Sequence, residues 1–493
     1  MSLAVLHSRT LAGVAALPVT VEAPLANALP SFTIVGLPEA ELRESKNRVR
    51  AALQGASVEF PMRRITINLT SADLPEEPER FDLPIALGIL AASRQLPADK
   101  LHEYEFAGEI ALTGAMRPVR EALAKTLGAQ GDGRAFELPA EDAAQAAVVE
   151  GATVYALPSL LAVCAHLPRQ EKLVPYTQTL ATQEAHYPDL QDVWGQDHAK
   201  RVLGIAAVGG HTLPMTGPPG TGKTMLASRP PGILPPMTQQ EALESAAMQS
   251  LVSAGFDVSR SNQRPYRSPH YAASAVALGE GGGNPRPGKI SMAMQGVLFL
   301  DESPEFQPNL LEVLREPLES GRIPVPRAAR QATFPGEFQM ECACGCLGHA
   351  LGKCRLTPDQ VACYRSRIFG PLLDRIDLQI EVPSLSQEAL TCQTAAQSSV
   401  RVHERVSGAC EHALSCQDKS NTMLSTSEID QHGSPDARGP EMLKRAISRL
   451  LLSARAYHRI LKVARTIADL AAAQIVGVTH VAEAIQYGRF ERG

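Results

Sequence analysis

The sequence predicts an α/β chain of several domains organised around a glycine-rich turn. Three stretches predict it: the turn itself at residues 215–224, an apolar run closed by two acids at 296–302, and a strongly helical segment at 441–486. A chain of 493 residues is too long for one core, and three domains is the natural division.

Composition sets the outer bounds. Hydrophobic residues at 44% and charged residues at 20% are ordinary for a globular protein and exclude a disordered or collagen-like chain. A formal net charge of −5 gives no global attraction to nucleic acid, so any such contact must come from local basic patches. No apolar run approaches the roughly eighteen residues that span a bilayer, and the expectation is a cytoplasmic protein without a membrane partner. Nine cysteines in a chain of this size argue for thiols or a metal site over a disulfide framework, and four of them crowd between positions 342 and 354.

Residues 1–170 alternate strand-like and helix-like segments. The first twenty are mildly apolar, lack a basic start, and read as strand by their Val and Thr content. Residues 31–36 and 64–69 read as further strands. Residues 39–53 carry Leu42, Val49, Ala52 and Leu53 at helical spacing among charges, and 82–93 is a largely apolar helix. This is an α/β domain of its own. Residues 171–190, with Pro, Thr and Gln and no clear period, read as a linker.

The central domain is expected over residues 191–385. A helix at 195–208 leads into Gly217-Pro218-Pro219-Gly220-Thr221-Gly222-Lys223-Thr224, which fits G-x-x-x-x-G-K-[ST]. Small residues at this spacing let backbone N–H groups curl around a polyphosphate. The lysine reaches the terminal phosphates, and the last hydroxyl coordinates Mg²⁺. This is a P-loop for ATP. Downstream, Val297-Leu298-Phe299-Leu300 reads as a buried strand delivering Asp301 to Mg²⁺ and Glu302 to the attacking water. The Gly/Pro-rich run at 279–288 is a loop between these motifs. Residues 321–330 hold Arg322, Arg327 and Arg330 with no acid, flanked by Ile/Val alternation that suggests a hairpin. Residues 384–440 are polar with short helical pieces, and 386–493 as a whole reads as a C-terminal helical lid.

Residues 264–270, 296–306, 370–377 and 453–470, with 30–38 and 80–88, resemble the YifB/ComM family of magnesium-chelatase-like AAA+ ATPases over nearly the full length. The resemblance implies a Lon-protease/S5-like N-terminal domain, an AAA+ core with a parallel sheet, and a hexameric ring driving DNA branch migration. It places an arginine finger at Arg375, a sensor-2 arginine at Arg455, and a channel hairpin for DNA at Arg322, Arg327 and Arg330. Either of the first two arginines also has a plainer reading as a surface salt-bridge partner. Lon-type domains pair a serine with a lysine, and no serine or lysine occupies those places here. Lys125 reads as a solvated helix charge, so proteolysis is disfavoured. Relatives carry a cysteine spacing suited to Zn²⁺. Here it corresponds to Cys342, Cys344, Cys354 and either Cys346 or His349, with reduced thiols as the alternative.

Three departures stand against the family pattern. Pro214 interrupts the strand before the P-loop, where a ladder N–H is expected. Pro230-Pro231 shortens the P-loop helix. The relatives' run ending in the sensor-1 asparagine is missing at Met340-Glu341, which is expected to remove that asparagine and shorten a central strand, with Gln339 or Glu341 as candidates to shift register and substitute in the sensor role. A nucleotide-binding scaffold with weak turnover is therefore the second functional expectation.

Overall fold

The computed structural model describes residues 2–12, 15–36, 39–56, 58–70, 81–168, 172–177, 186–251, 256–273, 288–325, 332–344, 372, 375–385, 397–436, 439–450 and 453–488. Two units divide the chain: Met1–Gln183 with Leu243–Ser261, and Glu184–Ala242 with Asn262–Gly493.

In the first unit, β1 (Ser2–Ala12) and β2 (Ala15–Ala26) form a long antiparallel hairpin. They are followed by β3 (Ser31–Val35), α1 (Glu39–Gly55), β4 (Arg64–Thr70) and α2 (Asp82–Ala92). Then come β5 (Tyr104–Phe106), the short pair β6 (Glu109–Ile110) and β7 (Met116–Arg117), α3 (Ala122–Gly131), β8 (Ala135–Pro139), β9 (Val154–Leu157) and α4 (Leu160–His166). Seven strands make one mixed sheet in the order β3-β4-β2-β1-β5-β8-β9. The alternation in β4 buries Ile65, Ile67 and Leu69 on one face. Helix α2 is apolar all round and is buried along its whole length, as such a helix must be. Its first residue, Asp82, is tolerated there because Ser45 Oγ and Arg48 Nε donate to it at 2.7 and 2.8 Å. Burial still lifts its carboxyl to about 6.

The first unit corrects one expectation. Lys125 is a fully buried side chain, not a solvated helix charge. It sits in α3 among buried Leu123, Ala124 and Thr126, and its charge acts on Asp142. Burial raises Asp142 to about 6, while the Val119 N–H, donating to it at 2.7 Å, and Lys125 oppose the rise.

In the second unit, α5 (Asp197–Gly209) leads to β10 (Leu213–Thr216), followed by α6 (Lys223–Ala227), β11 (Tyr266–Arg267) and β12 (Val297–Leu300). After α7 (Arg315–Ser320) come β13 (Arg322–Val325) and β14 (Ala332–Pro335), then β15 (Gln339–Cys344) and β16 (Ile380–Glu381). Five strands form an all-parallel sheet in the order β11-β12-β15-β10-β16. The chain closes with α8 (Ser399–Gln417), α9 (Ala454–Leu470) and α10 (Val478–Tyr487), which pack into the same apolar core as α5 and β10. Helix α8 is longer than the short pieces expected of a Ser/Gln-rich region. Val402, Val406, Ala409 and Ala413 give it a buried stripe. A polar chain runs beneath: His211 Nε2 meets Thr466 Oγ1 at 2.8 Å, and Asn421 Nδ2 donates to Thr466 and to Asp469 at 3.0 and 2.8 Å.

Pro214 is accommodated by its position. The carbonyls of Thr212 and Thr216 accept from Leu378 and Val382 at 3.1 and 2.7 Å, so alternation turns residue 214 the same way. The N–H that proline lacks would have gone toward β16 at the sheet edge, and pairing with β15 continues through Cys342. Helix α6 stops at Ala227, and Pro230–Gly232 forms a 3-10 turn, as the two prolines require. No helix among the described residues is long and apolar enough to cross a membrane.

Candidate functional site

Strand β10 is buried throughout and delivers the chain to the turn at 217–222. A Cβ on Gly217 would lie 2.3 Å from the Val382 carbonyl oxygen, so only glycine fits. Gly220 and Gly222 hold φ of +80° and +90°, a left-handed conformation that side chains resist. Thr221 Oγ1 donates to Pro218 O at 3.0 Å, and Lys223 Nζ donates to the carbonyls of Gly217 and Pro218 at 2.9 and 2.7 Å. The lysine is thus held within the turn, with Pro219 between its two anchor points and Gly220.

Strand β12 is equally buried and ends where Asp301 meets the P-loop helix. Thr224 Oγ1 donates to Asp301 Oδ2 at 3.0 Å, and the Glu302 N–H donates to Asp301 Oδ1 at 3.0 Å. Glu302 has φ of +49°, so the chain turns sharply beneath its exposed carboxylate. Ser303 Oγ then anchors this turn to the Ala343 carbonyl at 3.1 Å. A hydroxyl and a carboxylate in contact at the foot of a glycine-rich loop form the oxygen pair that Mg²⁺ takes alongside nucleotide phosphates. The residues present fit ATP and Mg²⁺.

Between β10 and β12 runs β15, and here the structure corrects the expected loss of length. Six residues, all buried, pair with β12 from Gln339↔Val297 to Cys342↔Leu300 and with β10 from Glu341↔Leu213 to Cys344↔Thr216. Small Cys and Ala side chains complete a strand of full reach. The proposed substitutes are also excluded by register. Glu341 lies level with Leu213, three residues short of the strand end and about 10 Å from it. Its side chain is buried, accepts from Gln339 Nε2 at 3.3 Å, and is held well above the usual carboxylate range by burial. The next residue after β15 in sequence is Gly345, which lies outside the described residues and carries no side chain to orient water.

Cys342 and Cys344 are strand residues of β15, and burial pushes the Cys342 thiol upward. Cys346, His349 and Cys354 lie outside the described residues. Among the described residues, no group of three or more His, Cys, Asp or Glu side chains could hold a metal ion.

The two arginines are brought together, and the residue that does so escaped sequence reasoning. Arg375 Nη2 donates to Glu319 Oε2, Arg375 Nε donates to Arg315 O at 3.2 Å, and Arg455 Nη2 lies 3.8 Å from Glu319 Oε1. Hydrogen bonding from Arg375 and the charges of Arg375, Arg455 and Arg315 hold the Glu319 carboxyl below its ordinary value. The available signal was an acid in the last turn of a helix, where the dipole disfavours it, three residues before a basic hairpin. That hairpin is present: Arg322 opens β13, exposed, opposite Pro335 of β14. Arg327 and Arg330 lie outside the described residues, as does most of the loop at 279–288. Arg264, in the motif at 264–270, ties loops together by donating to Pro235 O and Gln295 O, both at 2.7 Å.

The chain is similar to known proteins over nearly its full length. Residues 189–390 match the family "Magnesium chelatase, subunit ChlI", residues 21–142 match "Subunit ChlI of Mg-chelatase", and residues 396–488 match "Magnesium chelatase, subunit ChlI C-terminal". The chain is 46% identical to the competence protein ComM of Haemophilus influenzae, covering 99% of this chain and 97% of that one. It is 44% identical to the uncharacterized protein YifB of Escherichia coli and 45% to that of Salmonella typhimurium, covering 100% of this chain and 98% of each. The chain belongs to the YifB/ComM family of magnesium-chelatase-like AAA+ proteins.

Proposed function

We propose that the chain is an ATP-hydrolysing motor of the ComM type that assembles as a ring, a hexamer by family resemblance, and acts on DNA. The observation that carries this reading is the 3.0 Å contact between Thr224 and Asp301, which joins the two halves of a nucleotide site. Bound ATP and Mg²⁺ would supply the transferable phosphoryl group and the charge that neutralises it. The chain's part is positioning. The turn at 217–222 cradles the phosphates, Lys223 contributes a point charge to them, and Thr224 and Asp301 hold Mg²⁺. Glu302 orients water from the exposed side, and Arg375 and Arg455 act on the nucleotide of an adjacent copy. Arg322, with Arg327 and Arg330, contacts DNA phosphates without regard to sequence. The similarity to a competence protein supports a role in DNA handling, and the first unit, in which no serine or lysine occupies the expected places, serves as a non-proteolytic scaffold.

A nucleotide-binding scaffold with weak turnover is the second reading. It is favoured by the glycine that follows β15 and by the register that keeps Glu341 away from the P-loop end. ATP turnover measured with and without single-stranded and branched DNA separates the two. DNA-stimulated hydrolysis supports the motor, whereas tight Mg²⁺–ATP binding without turnover in any condition leaves the scaffold.

A further inference from the structure

Glu319 stands where an isolated carboxylate is disfavoured. It lies in the last turn of α7, where the helix dipole opposes negative charge, and its side chain is 57% exposed. Two guanidiniums gather on it, one per carboxylate oxygen. Arg375 is nearly enclosed, with its side chain 13% exposed, and is further fixed by the Arg315 carbonyl. Arg455, at 63% exposed, sits in the first turn of α9, whose start is capped by Ser453 Oγ accepting from the Ala456 N–H at 3.2 Å. The same helix grips the arginine's own segment one turn later, where Arg459 Nη1 donates to the Ile376 carbonyl. Two cations from separate elements are thus paired through one acid that solvent and ligands can reach.

We propose that Glu319 is a displaceable latch, a carboxylate that stores Arg375 and Arg455 as a pair until the terminal phosphate of a nucleotide on a second copy of this chain takes its place. The proposal rests on the reading that these arginines act on a neighbour's nucleotide. A phosphate offers more charge and more acceptor oxygens to guanidinium forks than a carboxylate does. Glu319 is 57% exposed and its pair with Arg455 lies in solvent, where ion pairs are weak, so the carboxylate is open to exchange even though Arg375 is largely enclosed. The single acid also keeps two like charges adjacent before the phosphate arrives, work that either arginine alone would not need.

The test is self-association of the full chain by sedimentation velocity with Mg²⁺ and either ATPγS or ADP, read as the ratio of the two half-assembly concentrations. The parent assembles at lower concentration with ATPγS. Glu319→Gln removes the competing charge while keeping shape, and is expected to widen the ratio by roughly two- to fivefold, the value of an exposed ion pair. Glu319→Asp keeps the charge and stays within about twofold of the parent on the same scale. A merely structural role would shift both half-points together and leave the ratio alone. Glu319→Gln at or below the parent ratio, while Arg375→Ala loses the ATPγS preference, overturns the latch. Arg375→Ala with the parent's preference, or a parent without any, overturns the underlying trans-arginine reading and the latch with it.

Discussion

Thr224 Oγ1 and Asp301 Oδ2 lie 3.0 Å apart although 77 residues separate them, one on the helix after β10 and the other at the end of β12. If both oxygens hold one Mg²⁺, as proposed, Asp301→Asn should weaken binding of Mg²⁺–ATP at least tenfold and leave Mg²⁺-free ATP nearly unaffected, an expectation from the loss of one ligand charge. Titration of a fluorescent ATP analogue with Mg²⁺ and with EDTA measures both. Equal losses in the two titrations would remove Asp301 from the metal site.

Lys223 and Glu302 should separate binding from chemistry. Lys223→Ala loses the charge proposed to act on the phosphates and also two hydrogen bonds that tie the turn to itself at Gly217 and Pro218. Nucleotide affinity is expected to fall by about two orders of magnitude, in line with loss of charged hydrogen bonds. Glu302→Gln should keep affinity within a few-fold and lower turnover by about a hundredfold or more, since the amide cannot polarise water in the same way. Parent turnover in the glutamine variant shows that Glu302 has another role.

Arg375→Ala alone and Lys223→Ala alone should each be inactive as assemblies, with the arginine worth about 10³ in turnover if it acts as a finger. Mixed at equal concentration they should recover activity, because some interfaces then join an intact P-loop to an intact arginine. Full assembly-dependent turnover by Arg375→Ala alone rules out the trans role.

Neutralising Arg322, Arg327 and Arg330 together should weaken binding to all DNA sequences and reduce the salt slope by up to roughly three counterions. The check is fluorescence anisotropy across a salt series. An unchanged slope moves the contact away from β13 and β14, with the loop at 279–288 as the next candidate.

The first unit carries a pH dependence of its own. Glu137 is buried, neither carboxylate oxygen has a hydrogen-bond partner among the described residues, and burial raises its carboxyl from 4.5 to about 8. His166 Nε2 lies 3.8 Å away, its Nδ1 accepts from the Leu173 N–H at 2.9 Å, and burial keeps the ring below its ordinary value. Nearby Cys164 is pushed up to about 11, by burial first and then by Glu137. An acid with a raised folded value favours the fold below the unfolded value and loses that contribution as pH climbs through the folded one. Stability should therefore decline between about pH 4.5 and pH 8. Glu137→Gln should flatten that decline, with a gain above pH 8 of at most about 5 kcal/mol. Denaturant unfolding at pH 5 and pH 8.5, followed by the circular dichroism of the sheet, tests it. A gain equal at both pH values contradicts the assignment.

Much of this architecture was legible because it depends on local pattern. Alternation gave β4, helical spacing gave α1, and an apolar strand ending in acids put Asp301 where Thr224 could meet it. What was not legible depends on distant partners. Glu319 joins Arg375 and Arg455 across 56 and 136 residues, and no periodicity announces such a pair. Lys125 was read as solvated because no nucleophile accompanies it, whereas its mostly apolar neighbours on α3, Ala122, Leu123 and Ala124, carry it inward. The stripe of α8 was hidden because valine and alanine form a weak signal amid Ser, Gln and His. Strand β15 was expected to be short because a familiar stretch was missing, yet Glu341-Cys342-Ala343-Cys344 supplies the residues needed to keep its ladder.

That strand also sets a dimension. Strands β10 and β12 never touch in the ladder, and β15 separates them, which puts them about 10 Å apart at ordinary strand spacing. The Thr224–Asp301 contact is made across this gap, and Ser303 fastens the far side of it to the Ala343 carbonyl. Strand β15 is therefore the spacer block of the proposed nucleotide site: its width, set by the backbone ladders to both neighbours, fixes how far apart the strands that lead to Thr224 and Asp301 are held.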